Sequence, residues 1–270
     1  MKTSVVLTLL CIFFISCKDP KKEGAEVPKE DTATVENTTG DAVKSTIDIT
    51  PISHATMVLN WGEKIIYVDP VGGAVAFEGQ PKPDVILLTD IHGDHFNMET
   101  LRAVTADGTG IIAPKAVAEK IDEELQQLVT VLDNGNTTQI QGLDNLSFEA
   151  IPMYNLREEA LKFHPKGRGN GYVLDDGNQR VYISGDTEDI PEMRALENID
   201  IAFVCMNLPY TMPVKSAASA VVDFKPNKVF PYHYRGTEGL SDVGLFKTLI
   251  MKSSVANEVE VVQLDWYPAQ

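Results

Sequence analysis

Apolar positions along the chain gather into short runs separated by polar, Gly- and Pro-bearing breaks. Residues 46–52 alternate and predict an opening strand, followed by a second over 54–60 and a third over 64–70. Trp61-Gly62-Glu63 forms the hairpin turn between the last two. The uninterrupted run Val85 to Leu88 predicts a buried strand. Residues 98–106 and 116–128 carry helical character, with a short apolar strand at 111–113 between them. Further strands follow over 146–152, 180–187, 200–205, 228–234 and 258–264, with helices over 215–224 and 240–251. Strands and helices alternating through two similar halves predict an α/β domain built in layers.

The first residues stand outside that pattern. Lys2 precedes an apolar run over 5–15, too short to span a bilayer, which needs about 20 residues, and of the kind that forms a secretory signal. Ile15-Ser16-Cys17 resembles a bacterial lipobox, with Phe14 where that motif has Leu. The resemblance implies a lipid on Cys17; an ordinary signal peptide cleaved near Ser16 is the alternative. Residues 18–45 hold no aromatic side chain and are rich in Lys, Glu, Thr, Pro and Gly, as a disordered tether is. The expected organisation is a signal over 1–17, a tether over 18–45 and one folded domain over 46–270. A lipidated tether would hold that domain in a bacterial cell envelope without a spanning helix.

Charge narrows what the domain binds. The chain has 270 residues, 43% of them hydrophobic, with a formal net charge of -16 and a pI near 4.7. Residues 1–45 carry six Lys against seven Asp or Glu, so nearly all of the excess belongs to the folded part. Such a surface repels phosphate backbones and sets nucleic acid aside as a partner; its simplest reading is solubility. Of the three Cys, Cys11 and Cys17 lie in the N-terminal segment, leaving Cys205 alone in an apolar run as a buried structural thiol.

The chemistry concentrates after the Val85–Leu88 run. Within six residues the chain supplies Asp90, His92, Asp94 and His95, with Gly93 to let the backbone turn tightly. Imidazole nitrogen and carboxylate oxygen at about 2.0–2.2 Å suit a divalent metal such as zinc, and a loop on a rigid strand can hold them in place. The bland alternative is a strand-end loop of capping Asp and structural His.

The stretch Asp90-Ile91-His92-Gly93-Asp94-His95 resembles the H-x-H-x-D-H signature of the metallo-β-lactamase superfamily, with Asp90 where the family has its first His. The resemblance extends over residues 46–265 and implies that family's four-layer αββα sandwich. It assigns Asp186, in Gly185-Asp186-Thr187, to the metal-bridging carboxylate and His233 to the final ligand. Asn155 stands at the position of the family's third His. Residues 163–172, with His164, Lys166 and Arg168, resemble a loop of the L-ascorbate-6-phosphate lactonase-like branch. There His164 either replaces the missing ligand or hydrogen-bonds substrate, and Lys166 and Arg168 either meet an anionic group or stand solvated on a Gly-rich hairpin. His54 and the segment Val68-Asp69-Pro70 resemble the same branch's opening hairpin, placing His54 beside the metal or on the surface. Residues 207–212 resemble a substrate-facing loop. All five His of the chain fall inside these motifs.

Two metal pockets follow from the resemblance. One comprises Asp94, His95, Asp186 and His233; the other Asp90, His92, Asp186 and either Asn155 or His164, a harder and more oxygen-rich set. Zinc in one or both is the implied cofactor, with Mn²⁺ or Fe²⁺ as alternatives in the oxygen-rich pocket. Zinc lowers the pKa of a bound water from ~15.7 to about 7, so the implied activity is hydrolysis of a small ester, lactone or phosphodiester, anionic substrates included. Asp94, His54, His164 and Tyr154 are the candidate catalytic groups, and Lys166 and Arg168 the candidate substrate contacts. The competing reading is a metal-binding envelope lipoprotein without turnover, its second pocket degenerate at Asp90 and Asn155.

Overall fold

Strands β1 (Ile47–Ser53) and β2 (Thr56–Trp61) pair antiparallel, and the chain turns through Gly62, at φ 64°, into β3 (Lys64–Val68). Glycine adopts this left-handed backbone without a Cβ clash. From there the sheet grows in parallel through β4 (Val85–Leu87), β5 (Gly110–Ala113) and β6 (Val129–Val131). Parallel neighbours need crossovers, and these carry α1 (Met98–Val104), α2 (Lys115–Ala118) and α3 (Glu123–Gln126). The computed structural model describes residues 46–267; the signal, lipobox and tether expected over 1–45 lie outside the described residues.

A second sheet repeats the plan. Strands β7 (Thr137–Gln139), β8 (Ser147–Met153), β9 (Gly169–Asp175) and β10 (Arg180–Ile183) form an antiparallel meander. Strands β11 (Ile201–Cys205) and β12 (Lys228–Tyr232) then add in parallel. After the small ribbon β13 (Arg235–Gly236) with β14 (Gly239–Leu240), strand β15 (Glu260–Val261) completes this sheet beside β12. Helices α4 (Pro191–Arg194), α5 (Val214–Phe224) and α6 (Val243–Met251) lie between these parallel strands in sequence.

The strand period of two sorts side chains into layers. On β2 to β4, Met57, Leu59, Ile66, Val68, Val85 and Leu87 join the core shared with Phe148, Tyr172 and Ile183 of the second sheet. Their neighbours Val58, Ile65, Tyr67, Ile86 and Leu88 face the other way, onto Leu101, Val104, Val117 and Ile121 of the helical layer. On the far side Ala217, Val221 and Phe224 of α5 and Phe246 and Ile250 of α6 are buried in the same core as the second sheet. Helices, sheet, sheet and helices give the four-layer αββα sandwich.

Several expected elements change shape. The helix expected over 116–128 splits into α2 and α3 because Ile121 turns inward to join the apolar cluster. The Gln126 side chain satisfies the break, donating to Ala118 O and Ile121 O. Residues 169–172, the end of the segment resembling the branch's loop or a Gly-rich hairpin, instead begin a full strand, β9, in the middle of the meander. Its backbone passes very close to the first sheet: Asn170 N donates to Thr89 O, and a Cβ on Gly169 would lie 2.7 Å from that oxygen. The closing strand is only Glu260–Val261, shorter than 258–264.

Candidate metal centre

The carboxyl ends of the strands share one edge, where α/β sheets typically bind ligands. Asp69 follows β3, Asp90 to His95 follow β4, Asp186 follows β10, Asn207 follows β11 and His233 follows β12. His54 sits in the turn between β1 and β2, and His164 in the connection from β8 to β9. Among the described residues five non-Gly positions have positive φ, and three belong here: His54 at 57°, Asp69 at 45° and His233 at 46°. Such backbone costs about 1–3 kcal/mol per residue and persists only where surrounding structure enforces it.

The first expected pocket assembles. His95 Nε2 lies 3.1 Å from His233 Nε2 and 3.4 Å from Asp186 Oδ2. His233 Nε2 is 3.0 Å from Asp186 Oδ1 and 3.5 Å from Asp94 Oδ2, and Asp94 Oδ2 is 3.9 Å from His95 Nε2. His95, Asp186 and His233 are all buried. His164 also reaches this group, with Nε2 3.1 Å from Asp186 Oδ2.

Hydrogen bonds fix which ring nitrogens carry protons. His164 Nδ1 donates to Tyr210 O at 3.1 Å, so Nε2 turns a lone pair toward the carboxylates. Asp69 Oδ2, itself held by Thr89, lies 2.8 Å from His95 Nδ1 and directs the other nitrogen of that ring into the cluster. Asp186 Oδ1 and His164 Nε2 are buried with no hydrogen-bond partner. Lone pairs and a carboxylate that converge without donors are costly in a dry interior, by several kcal/mol per uncompensated ion. A divalent cation removes that cost, and the mixed imidazole and carboxylate set fits one.

Titration follows from the same packing. Burial opposes ionisation of Asp186, but His233, His95 and His164 outweigh it and hold its carboxyl well below the usual range. Burial opposes protonation of His95, yet Asp186 and Asp69 raise it well above an ordinary imidazole. His233 moves downward because burial dominates. Asp94 is held low against its partial burial by the hydrogen bond from His54 and the charges of His95 and His233.

The second expected pocket is different. Asp90, His92 and His164 approach one another, with His164 Nε2 3.8 Å from Asp90 Oδ2. The Arg168 guanidinium, however, takes both oxygens of Asp90, with Nε 3.0 Å from Oδ1 and Nη2 2.8 Å from Oδ2. Arg168 therefore meets a carboxylate of the protein, in place of a substrate anion or solvent, the two expected alternatives. Asn155 spends its amide nitrogen on Ala160 O and Tyr210 O, tying down the loop that carries His164. Of the two candidates for the missing ligand, His164 presents its nitrogen to Asp90 and Asp186. Tyr154 donates to Glu192 Oε2 at 2.9 Å, and Lys166 pairs with Glu192 Oε1 at 2.7 Å, so both engage Glu192 and not the ligand cluster.

His54 stands beside the centre, the first of its two expected positions. Its Nε2 lies 3.2 Å from Asp94 Oδ2, and its Nδ1 lies 2.6 Å from the Tyr267 hydroxyl. Three contributors escaped sequence reasoning. Asp69 carries no role of its own in the hairpin resemblance, Tyr267 gives no local signal, and Asn207, whose Nδ2 is 3.3 Å from His233 Nε2, stands in the sequence only as part of a substrate-facing loop. His92, Asp94, Phe163, His164, Asp186, Asn207 and Tyr210 line a cavity of about 310 Å³ over the cluster.

The family described as Beta-lactamase superfamily domain matches residues 48–233, a span that holds every candidate ligand. The chain belongs to the metallo-β-lactamase superfamily. Among superfamily relatives, the UPF0173 metal-dependent hydrolase of Pyrococcus horikoshii is 29% identical over 223 residues, 79% of this chain and 94% of that protein. The UPF0173 metal-dependent hydrolase of Thermococcus kodakarensis is 28% identical over 228 residues, with the same shares covered. A crystal structure from Parabacteroides distasonis, of a protein described as a metal-dependent hydrolase, is 38% identical with a TM-score of 0.71, covering 82% of this chain and 94% of that one. Igni18 of Ignicoccus hospitalis shares the fold at 20% identity and a TM-score of 0.66, over 81% of this chain and 94% of that one. Tyr267 lies beyond the matched superfamily span.

Proposed function

We propose that this protein is a metal-dependent hydrolase of a small ester or lactone. The observation that carries the reading is the convergence of His95 Nε2, His233 Nε2 and both oxygens of Asp186 at the floor of the cavity, with His164 Nε2 turned toward them without a donor. His95, Asp186 and His233, with Asp94 and His164, would hold the cation; zinc is the proposed metal. When bound, such a cation supplies a Lewis acid and lowers the pKa of water to about 7.

The protein's own groups do the rest. Asp94 stays ionised and orients the attacking water, its Oδ2 accepting from His54 Nε2. The Tyr267 hydroxyl donates to His54 Nδ1 and so keeps the proton on the nitrogen that faces Asp94. Asn207 Nδ2 is a donor at the cavity wall for an oxygen that gains negative charge. Phe163 and Tyr210 supply an apolar side for the acyl portion, and about 310 Å³ is at the small end of ligand sites. No Lys or Arg is among the lining residues, so an uncharged ester or lactone suits the cavity better than a phosphodiester. Resemblance of residues 163–172 to the lactonase-like branch also supports a lactone.

Metal-loaded protein offered a panel of short esters, lactones and phosphodiesters tests the reading. Turnover of an ester or lactone, lost by at least about 100-fold in Asp186→Asn with helical and sheet content unchanged, is the expected result. Metal-replete protein inert across the panel would favour capture without turnover. We further propose that Cys17 carries lipid and tethers the domain in the cell envelope, which intact-mass measurement of the mature N-terminus decides.

A further inference from the structure

The two expected metal pockets differ in how their polar atoms are satisfied. In the first, Asp186 Oδ1 and His164 Nε2 are buried and lack hydrogen-bond partners. In the second, Asp90 and His92 are closed into a network. Asp90 is wholly buried, its Oδ1 accepts from Arg168 Nε, and its Oδ2 accepts from Arg168 Nη2 and from His92 Nδ1 at 2.8 Å. The remaining nitrogen of His92, Nε2, lies 3.4 Å from Arg168 Nη2. Phe163 O accepts from the same Nη2 at 2.6 Å, which anchors the guanidinium from its other side.

A fork of N–H groups on a carboxylate is a strong, geometrically specific pair. Arg remains charged at any pH a protein survives. Its single positive charge compensates the buried Asp90 carboxylate, as a second cation in this pocket would. A divalent ion bound here would have to displace Arg168 from Asp90 Oδ2, leaving a guanidinium that is only 20% exposed beside a dication. That arrangement combines charge repulsion with the loss of the charge-assisted hydrogen bond from Arg168 Nη2 to Asp90 Oδ2.

We infer that Arg168 is a built-in replacement for a second metal ion, so that the centre holds one cation, with His164 serving that single site. Two features align with this. Asp90 replaces an imidazole with a group that an arginine fork fits, and the Asn170–Thr89 backbone hydrogen bond between the sheets brings Arg168 against it. His164 Nε2 is closer to Asp186 Oδ2, at 3.1 Å, than to Asp90 Oδ2, at 3.8 Å. In this role Arg168 is a positioning residue that sets nuclearity.

The inference rests on the metal-centre reading above but is tested without substrate, so it can fail while hydrolysis stands, or hold if no hydrolysis is found. Metal-free protein is dialysed against Mn²⁺ or Zn²⁺ and its metal content measured, with Mn²⁺ samples also examined by electron paramagnetic resonance. Wild-type protein saturates at one ion per chain and shows the spectrum of an isolated Mn²⁺. Arg168→Met removes the charge and keeps the apolar stem; it takes up a second ion, at least roughly tenfold more tightly than wild type does, and shows spin coupling between ions. Two tightly bound ions or a coupled spectrum in wild type overturns the inference, and needs no variant to fold. A folded Arg168→Met protein that still stops at one ion overturns it too.

Discussion

Asp69 Oδ2 lies 2.8 Å from His95 Nδ1, and both side chains are wholly buried. This contact orients the ring, and partners of this kind typically change metal affinity by about 10–100-fold when removed. Asp69→Asn keeps the shape and removes the charge. Competition with a chromophoric chelator should show metal binding weakened within that range; unchanged affinity would mean that Asp69 only packs.

Tyr267 acts through His54. Tyr267→Phe deletes the hydroxyl that meets His54 Nδ1 and leaves the metal ligands untouched. Losing about 1 kcal/mol of positioning lowers kcat roughly fivefold, with metal content and KM constant. A purely structural role would instead lower the denaturation midpoint and leave kcat per folded molecule as it was.

Metal removal should cost stability, because the cation binds only the folded cluster. At a free metal concentration near 100 times Kd the contribution is about 2.7 kcal/mol. Scanning calorimetry with and without chelator should show a lower melting temperature in the chelated sample, restored by added metal. Identical traces would sink the idea that His95, Asp186 and His233 form a metal site.

Burial, reinforced by the negative charge of Asp186, pushes the Cys205 thiol up to about 12. Because an unfolded thiol ionises near ~8.5, the folded state holds this proton more tightly. Its contribution to stability is therefore intact below that pH and is lost as pH rises toward the folded value. Alkylation of native protein at pH 8 should be negligible and become fast only on unfolding. Rapid labelling of the native protein would contradict the buried position.

Gly171 lies inside β9, where an added Cβ would sit 2.8 Å from Ser184 O and 2.9 Å from Ile183 O. Neither backbone oxygen can move without disturbing β10. Gly171→Ala should destabilise by about 1–3 kcal/mol, read as a lower urea midpoint. A midpoint equal to that of wild type would show that β9 and β10 separate freely.

Much of the fold could be read from local pattern. Apolar runs ending in Asp or His gave the strand ends that bear ligands, because a buried strand must stop where charged groups meet solvent or metal. The division of 116–128 into α2 and α3 could not be read that way. Ile121 is apolar in either arrangement, and only the position of the neighbouring layer decides that it turns inward. The same holds for 169–175: its glycines suggest a loop until two sheets are close enough that only glycine fits between Met153 and Thr89 O.

By itself, the sequence determined the strands whose ends bear the ligands, the superfamily signature and the residue types offered as ligands, since each depends on neighbours a few positions apart. The tertiary structure alone decided their partnerships. Asp90 and Arg168 are 78 residues apart, Asp69 and His95 are 26 apart, and His54 and Tyr267 are 213 apart. Whether a carboxylate is a metal ligand or an arginine's partner depends on which charge lies about 3 Å away. That distance is set by how the two sheets pack, which local sequence does not encode.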